Sequence, residues 1–161
     1  MNLHPFVVHF PVALLIIYSL LEFLSLFPFF KKKLWLKPVK AWFLFPGALG
    51  AIFGLLTGNA ISGEFININD LVEKHKFFAF VTTWIFCIIV LFYLIDFLSD
   101  KLEKNARWIV KTKNFLFDRH IIVLLAIFGG VSLLITGALG GAIVRGPDVD
   151  IFVRIIYDLL F

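Results

Sequence analysis

Four long apolar stretches, each set off from the next by charged or turn-forming residues, dominate the pattern of this chain. They run from Phe6 to Phe30, Ala41 to Gly58, Phe77 to Leu98 and Ile121 to Val144. A bilayer core of about 30 Å takes about 20 helical residues, so the pattern predicts four membrane-spanning helices. Gly146 and Pro147 stop the last of them. The tail beyond, DVDIFVRIIYDLLF, places Ile151, Phe152, Ile155, Ile156, Leu159 and Leu160 on one helical face and Asp150, Arg154 and Asp158 on the other. That amphipathic pattern predicts a helix lying in the membrane interface or covering the outer end of the bundle. The expected fold is therefore all-α and integral to the membrane. Residues 1–146 form a four-transmembrane-helix bundle and residues 147–161 a C-terminal interfacial amphipathic tail.

Composition excludes a water-soluble domain. Of 161 residues, 61% are hydrophobic and the mean hydropathy is +0.98, whereas soluble chains are closer to half apolar. No basic segment precedes the first apolar run and no small-residue cleavage pattern follows it, so the first span is expected to be retained. Cys87 falls within an apolar run and reads as a small packing residue.

Positive charge sets the expected orientation, because lysine and arginine collect in cytoplasmic loops. Lys31, Lys32, Lys33, Lys37 and Lys40 follow the first span, and Lys101, Lys104, Arg107, Lys111, Lys113 and Arg119 follow the third. Between spans two and three, Lys74 and Lys76 are offset by Glu64, Asp70 and Glu73. Both termini are thus expected on the side of the membrane away from the cytoplasm. The basic pI reflects this bias, and no basic surface interleaved with aromatic residues suggests nucleic acid. Trp108 and Ile109, between lysines, suggest a short surface helix facing lipid headgroups.

Small residues mark two of the spans. Gly50, Gly54 and Gly58 recur every fourth residue in span two, with Gly47 near the same face, and Gly130, Gly137 and Gly141 share a stripe in span four. In lipid, helices associate by close packing, so these two faces are expected to meet or to receive a flat cofactor. The segments LLTGNAISG and LITGALGGA close spans two and four, and His9 and His75 open spans one and three. This faint repeat would place equivalent residues at equal depth.

His9 and His75 thus become the candidate ligands. Asn69 or Asp70 would cap the third span and hold His75 one turn inside its helix, while His4, beside Pro5 at a first-turn position, could fold over the same site. Two imidazoles facing each other across a bundle suit haem b. Gly50, Gly54, Gly137 and Gly141 would let the ring approach, Arg145 would pair with its propionates, and Thr57 and Thr136 could add hydrogen bonds. The same histidines with Glu73 or Glu64 would equally suit copper or zinc, and a cofactor-free scaffold or accessory subunit of a larger membrane complex remains the third reading. His120, at the opposite end, reads as interfacial. Glu22 and Asp96 sit toward the inner ends of spans one and three. Intramembrane carboxylates are functional candidates by default, but Lys33 or Lys40 could satisfy Glu22, and Asp96 could snorkel. No nucleophile, base and oxyanion-donor set appears, so an electron carrier or subunit is expected before an enzyme.

HPFVVHFPVALL (His4 to Leu15), the His75 helix start and TGALGGAIVRG (Thr136 to Gly146) resemble the small bacterial membrane family called domain of unknown function 2231. The resemblance covers Asn2 to Gly146, with departures in the absence of a tyrosine before Arg145 and in the acidic, apolar tail. It implies a four-span bundle. Some relatives look like fusions to cytochrome c or Rieske-type domains, which implies a place beside extracytoplasmic electron carriers. Membrane lipid and such a carrier, or a larger complex, are the expected partners.

Overall fold

The computed structural model describes residues 4–31, 33–61, 69–102 and 119–161. The expectations for Trp108 and Ile109 and for Glu64 lie outside these residues. Among these described residues six helices follow in order: α1 His4–Leu24, α2 Pro28–Lys31, α3 Leu36–Ile61, α4 Asn69–Leu102, α5 Arg119–Arg145 and α6 Ile151–Leu160.

Two boundaries differ from those expected of the apolar runs. Helix α1 stops at Leu24 although the apolar run continues to Phe30. The Ser25 hydroxyl donates to Glu22 O at 2.6 Å, the next amides turn back on carbonyls three residues earlier, and Pro28 opens the single turn of α2, where its missing N–H costs nothing. Helix α3 begins five residues before Ala41, because Pro38 sits in a first turn that proline tolerates. Pro46 lies within the same helix and removes one backbone bond there.

Glycine contacts fix how the helices run. Ideal Cβ atoms on Gly47, Gly50 and Gly54 would meet Leu15, Pro11 and Val8 in turn, so α1 and α3 form an antiparallel hairpin. Gly129 faces Ile85 and Phe86, and Gly140 faces His75, making α4 and α5 a second one. The hairpins join along two thinner seams, α1 with α5 and α3 with α4. Going around the bundle the order is α1, α3, α4, α5, with α1 diagonal to α4 and α3 diagonal to α5.

This arrangement corrects the expected meeting of spans two and four through their glycines. Those helices occupy opposite corners, and their small faces receive α1, α4 and α6 instead. The physical reason is the one anticipated, close backbone approach in lipid, but the partners are different.

One apolar core, Leu15, Tyr18, Leu44, Phe86, Ile89, Ala126 and Leu133 among others, draws on all four long helices. A second cluster, Leu71, Ala138, Leu139, Ala142 and Val153, draws on α4, α5 and α6 only. Phe10, Trp42, Phe53, Phe80, Trp84 and Phe128 stay exposed on outward faces. In water so much exposed apolar surface would drive aggregation; in lipid it is the required exterior. Helices α3, α4 and α5 are each long and apolar enough to cross a membrane, while the apolar run of α1, Val8–Leu24, is shorter.

Gly146, at φ +90°, turns the chain after α5 into α6. The Asp150 carboxylate caps α6 by accepting from the Val153 amide at 2.8 Å. Val153 meets Gly141, and Ile156, Tyr157 and Leu160 pack inward beside it. Ile151, Phe152, Ile155 and Leu159 remain exposed, so the apolar face foreseen from the sequence is divided between the bundle and the surroundings.

Candidate functional site

Polar chemistry gathers at both ends of the bundle, called here the histidine end and the lysine end. At the histidine end, α4 begins at Asn69 and carries His75 on its second turn. The ring Nδ1 lies 3.0 Å from the carbonyl oxygen of Thr136 on α5. A carbonyl only accepts, so Nδ1 carries a proton and donates it to Thr136 O. Gly140 makes room for the ring, since a Cβ there would stand 3.3 Å from His75 Cε1. Below it the α4–α5 seam is polar. Thr82 donates to Ser132 Oγ at 2.8 Å, Ser132 donates to Phe78 O at 3.1 Å, and Thr136 donates to Ser132 O at 2.8 Å.

His9 is exposed on α1. Its depth follows from the helix register. Ser19 packs against Gly130; His9 is ten residues outward of Ser19 on α1, and Gly140 is ten outward of Gly130 on α5. At about 1.5 Å per residue both stand roughly 15 Å above that contact, so His9 and His75 share a level. Gly137 is two turns outward of Gly130 on the stripe that faces α1, yet a Cβ there would meet nothing within 4 Å.

The other expected contributors are distributed as follows. Gly50 and Gly54 are covered by Pro11 and Val8, and Gly141 by Val153, leaving Gly137 as the bare surface among the four. The Thr57 hydroxyl donates to Phe53 O and Gly54 O in its own helix. Thr136 contributes its carbonyl to His75, while its hydroxyl turns back along α5. Arg145 is exposed at the end of α5 and His120 at the start. His4 is the first residue of α1. Among the described residues, no three His, Cys, Asp or Glu side chains gather as a metal-holding group.

Lys74, the neighbour of His75, was not singled out by its sequence context. Its ammonium donates to Leu160 O at 2.6 Å and stands 3.6 Å from the Phe161 ring centre. A cation at the carbonyl end of α6 suits the helix dipole, and this contact seats the tail on α4.

At the lysine end, Glu22 of α1 is 2% exposed and fully occupied. Its Oε1 accepts from Tyr18 at 2.9 Å and from Tyr93 of α4 at 3.0 Å, and its Oε2 accepts from Lys40 of α3 at 2.8 Å. The Lys40 side chain is only 13% exposed. One turn away on α3, Lys37 pairs with Asp96 of α4. Asp96 is buried, which corrects the expectation that it would snorkel; the long lysine stem reaches it instead. Two acids and two lysines therefore cancel in charge at this end. The expected Lys40 partner of Glu22 is the one found. The tyrosines were missed: Tyr18 is detectable as the i,i+4 neighbour of Glu22, but nothing local distinguishes Tyr93.

Continuous apolar helices, a lipid-type exterior and buried, fully paired charges define an integral membrane protein of the all-helical class. Residues 1–151 match the family model described as predicted membrane protein (DUF2231), and the chain belongs to that family. No curated protein and no solved structure matches it.

Proposed function

We propose that the protein is a four-span module of the bacterial inner membrane that binds haem b at its histidine end and serves electron transfer toward an extracytoplasmic carrier. The observation that carries this reading is the shared depth of His9 and His75, together with the bare Gly137 surface of α5. The Thr136 carbonyl supports it further, because a backbone acceptor on Nδ1–H orients the ring, as is usual for a metal-bound histidine. When bound, the haem would supply one-electron chemistry. The protein's part is to orient His75, to bring His9 to the same level and to limit water on the α4–α5 side, where α6 packs.

In this reading α1 is the fourth span, since 17 apolar residues reach the lower limit for crossing. The basic segments after α2 and α4 face the cytoplasm, so both termini and the histidine end lie outside. Helix α6 lies in the outer interface with Ile151, Phe152, Ile155 and Leu159 toward lipid and Arg154 and Asp158 toward water.

The test is an absorption spectrum of protein purified from haem-sufficient cells, together with His9→Ala and His75→Ala. A Soret band that is lost or displaced in both variants is the expected result. A colourless protein, or a band unaltered by both substitutions, overturns the assignment. Colourless protein that takes up copper and loses it on His4→Ala would establish the metal reading instead, and a colourless protein that copurifies with a fixed partner the accessory-subunit reading.

A further inference from the structure

The lysine end holds titratable groups that electron transfer does not use. We infer that Lys40 is the counter-ion that keeps α1 in the membrane, so that α1 and α3 insert as an obligate pair. Three observations lead there. The apolar run of α1 is short, Val8–Leu24, and it contains Glu22, buried at 2% exposure. An unpaired carboxylate in that position opposes insertion. The cation that cancels it comes from the first turns of α3, with Lys40 Nζ at 2.8 Å from Oε2, and the two hydroxyl donors on Oε1, Tyr18 and Tyr93, are neutral. Hydrogen bonds from neutral groups satisfy the oxygen; only Lys40 removes the charge.

A second consequence separates the lysines of the first basic segment into two kinds. Lys37 and Lys40 are spent on Asp96 and Glu22, so they contribute little net charge to orientation. That role falls to Lys31, Lys32 and Lys33, which precede them in the same segment.

The experiment uses the full chain with Cys87→Ala and a reporter cysteine, Asn2→Cys, labelled by a membrane-impermeant maleimide in right-side-out and inverted vesicles. The parent should label from one side only. In Lys40→Gln the fraction labelled from that side should fall about tenfold, and Glu22→Gln added to Lys40→Gln should restore it. If Lys40→Gln labels like the parent, α1 needs no counter-ion and the inference fails. If Lys40→Gln is lost and the double variant is lost equally, Lys40 serves packing rather than charge, and the inference fails again. The comparison is between variants, so it stands whichever side proves to be outside, and labelling of the parent from the cytoplasmic side would sink the proposed orientation alone.

Discussion

At the lysine end, one carboxylate accepts hydrogen bonds from groups on three helices, and the two buried acids, Glu22 and Asp96, each have a lysine partner. At the histidine end, His75 is tied to α5 through the Thr136 carbonyl, and the stripe of α5 that faces α1 lies bare at Gly137. The same contrast appears in the apolar packing. The four-helix core fills the middle and lysine end, whereas the outer cluster, among the described residues, joins α4, α5 and α6. A clamped end and an open end teach where each kind of work is possible. Polar groups are saturated across helices at the lysine end, whereas the Gly137 surface at the histidine end is open.

The largest expected effect lies at the clamp. Lys40→Gln leaves Glu22 buried beside neutral donors and should cost about 3–5 kcal/mol, the usual penalty for stripping one partner from a buried pair, read as an early unfolding midpoint in detergent micelles. Glu22→Gln in the same measurement should cost far less, since the amide oxygen still accepts from a tyrosine. Equal losses in the two variants would show that the lysine end is held by packing and not by charge.

Next comes the glycine zipper of the first hairpin. A Cβ on Gly50 would stand 2.9 Å from Pro11 Cβ, within a rigid ring, so Gly50→Ala should destabilise by about 1–3 kcal/mol. Gly47→Ala meets the end of a flexible leucine, Leu15 Cδ2 at 2.7 Å, and should cost less. A smaller change is expected at the tail: Lys74→Gln removes the cation seated on Leu160 O and the Phe161 ring, and should weaken α6 docking by about 1–2 kcal/mol, visible as faster proteolysis at Arg154.

The smallest effect should be at the open end. Gly137→Ala has nothing within 4 Å and should leave stability unchanged or raise it by up to about 1 kcal/mol through helix propensity. A loss as large as that of Gly50→Ala would mean that α1 closes over α5 in the membrane. That result would remove the space on which the haem reading depends.

The four long helices, their order and the stop at Gly146 were legible from residue pattern, because apolar length and turn chemistry are local properties. The start of α4 near Asn69 or Asp70 followed from capping residues, and a lysine partner for Glu22, Lys33 or Lys40, from the expense of a lone buried acid; the structure chose Lys40. The early end of α1 was masked by an apolar run that continues past the helix, since apolarity alone does not keep a backbone helical through Ser25 and Pro28.

What the chain by itself determined is that the backbone must hide its polar groups in helices within lipid, that small residues must meet something closely, and that buried charges must find opposite ones. The tertiary structure alone decided which partners those are: Pro11 and Val8 for the glycines of α3, Tyr93 for Glu22, Lys37 for Asp96, and the Thr136 carbonyl for His75. The physical reason is that helix–helix packing in lipid depends on shape across elements far apart in sequence. One rotation of a helix exchanges every neighbour while leaving its hydropathy unchanged.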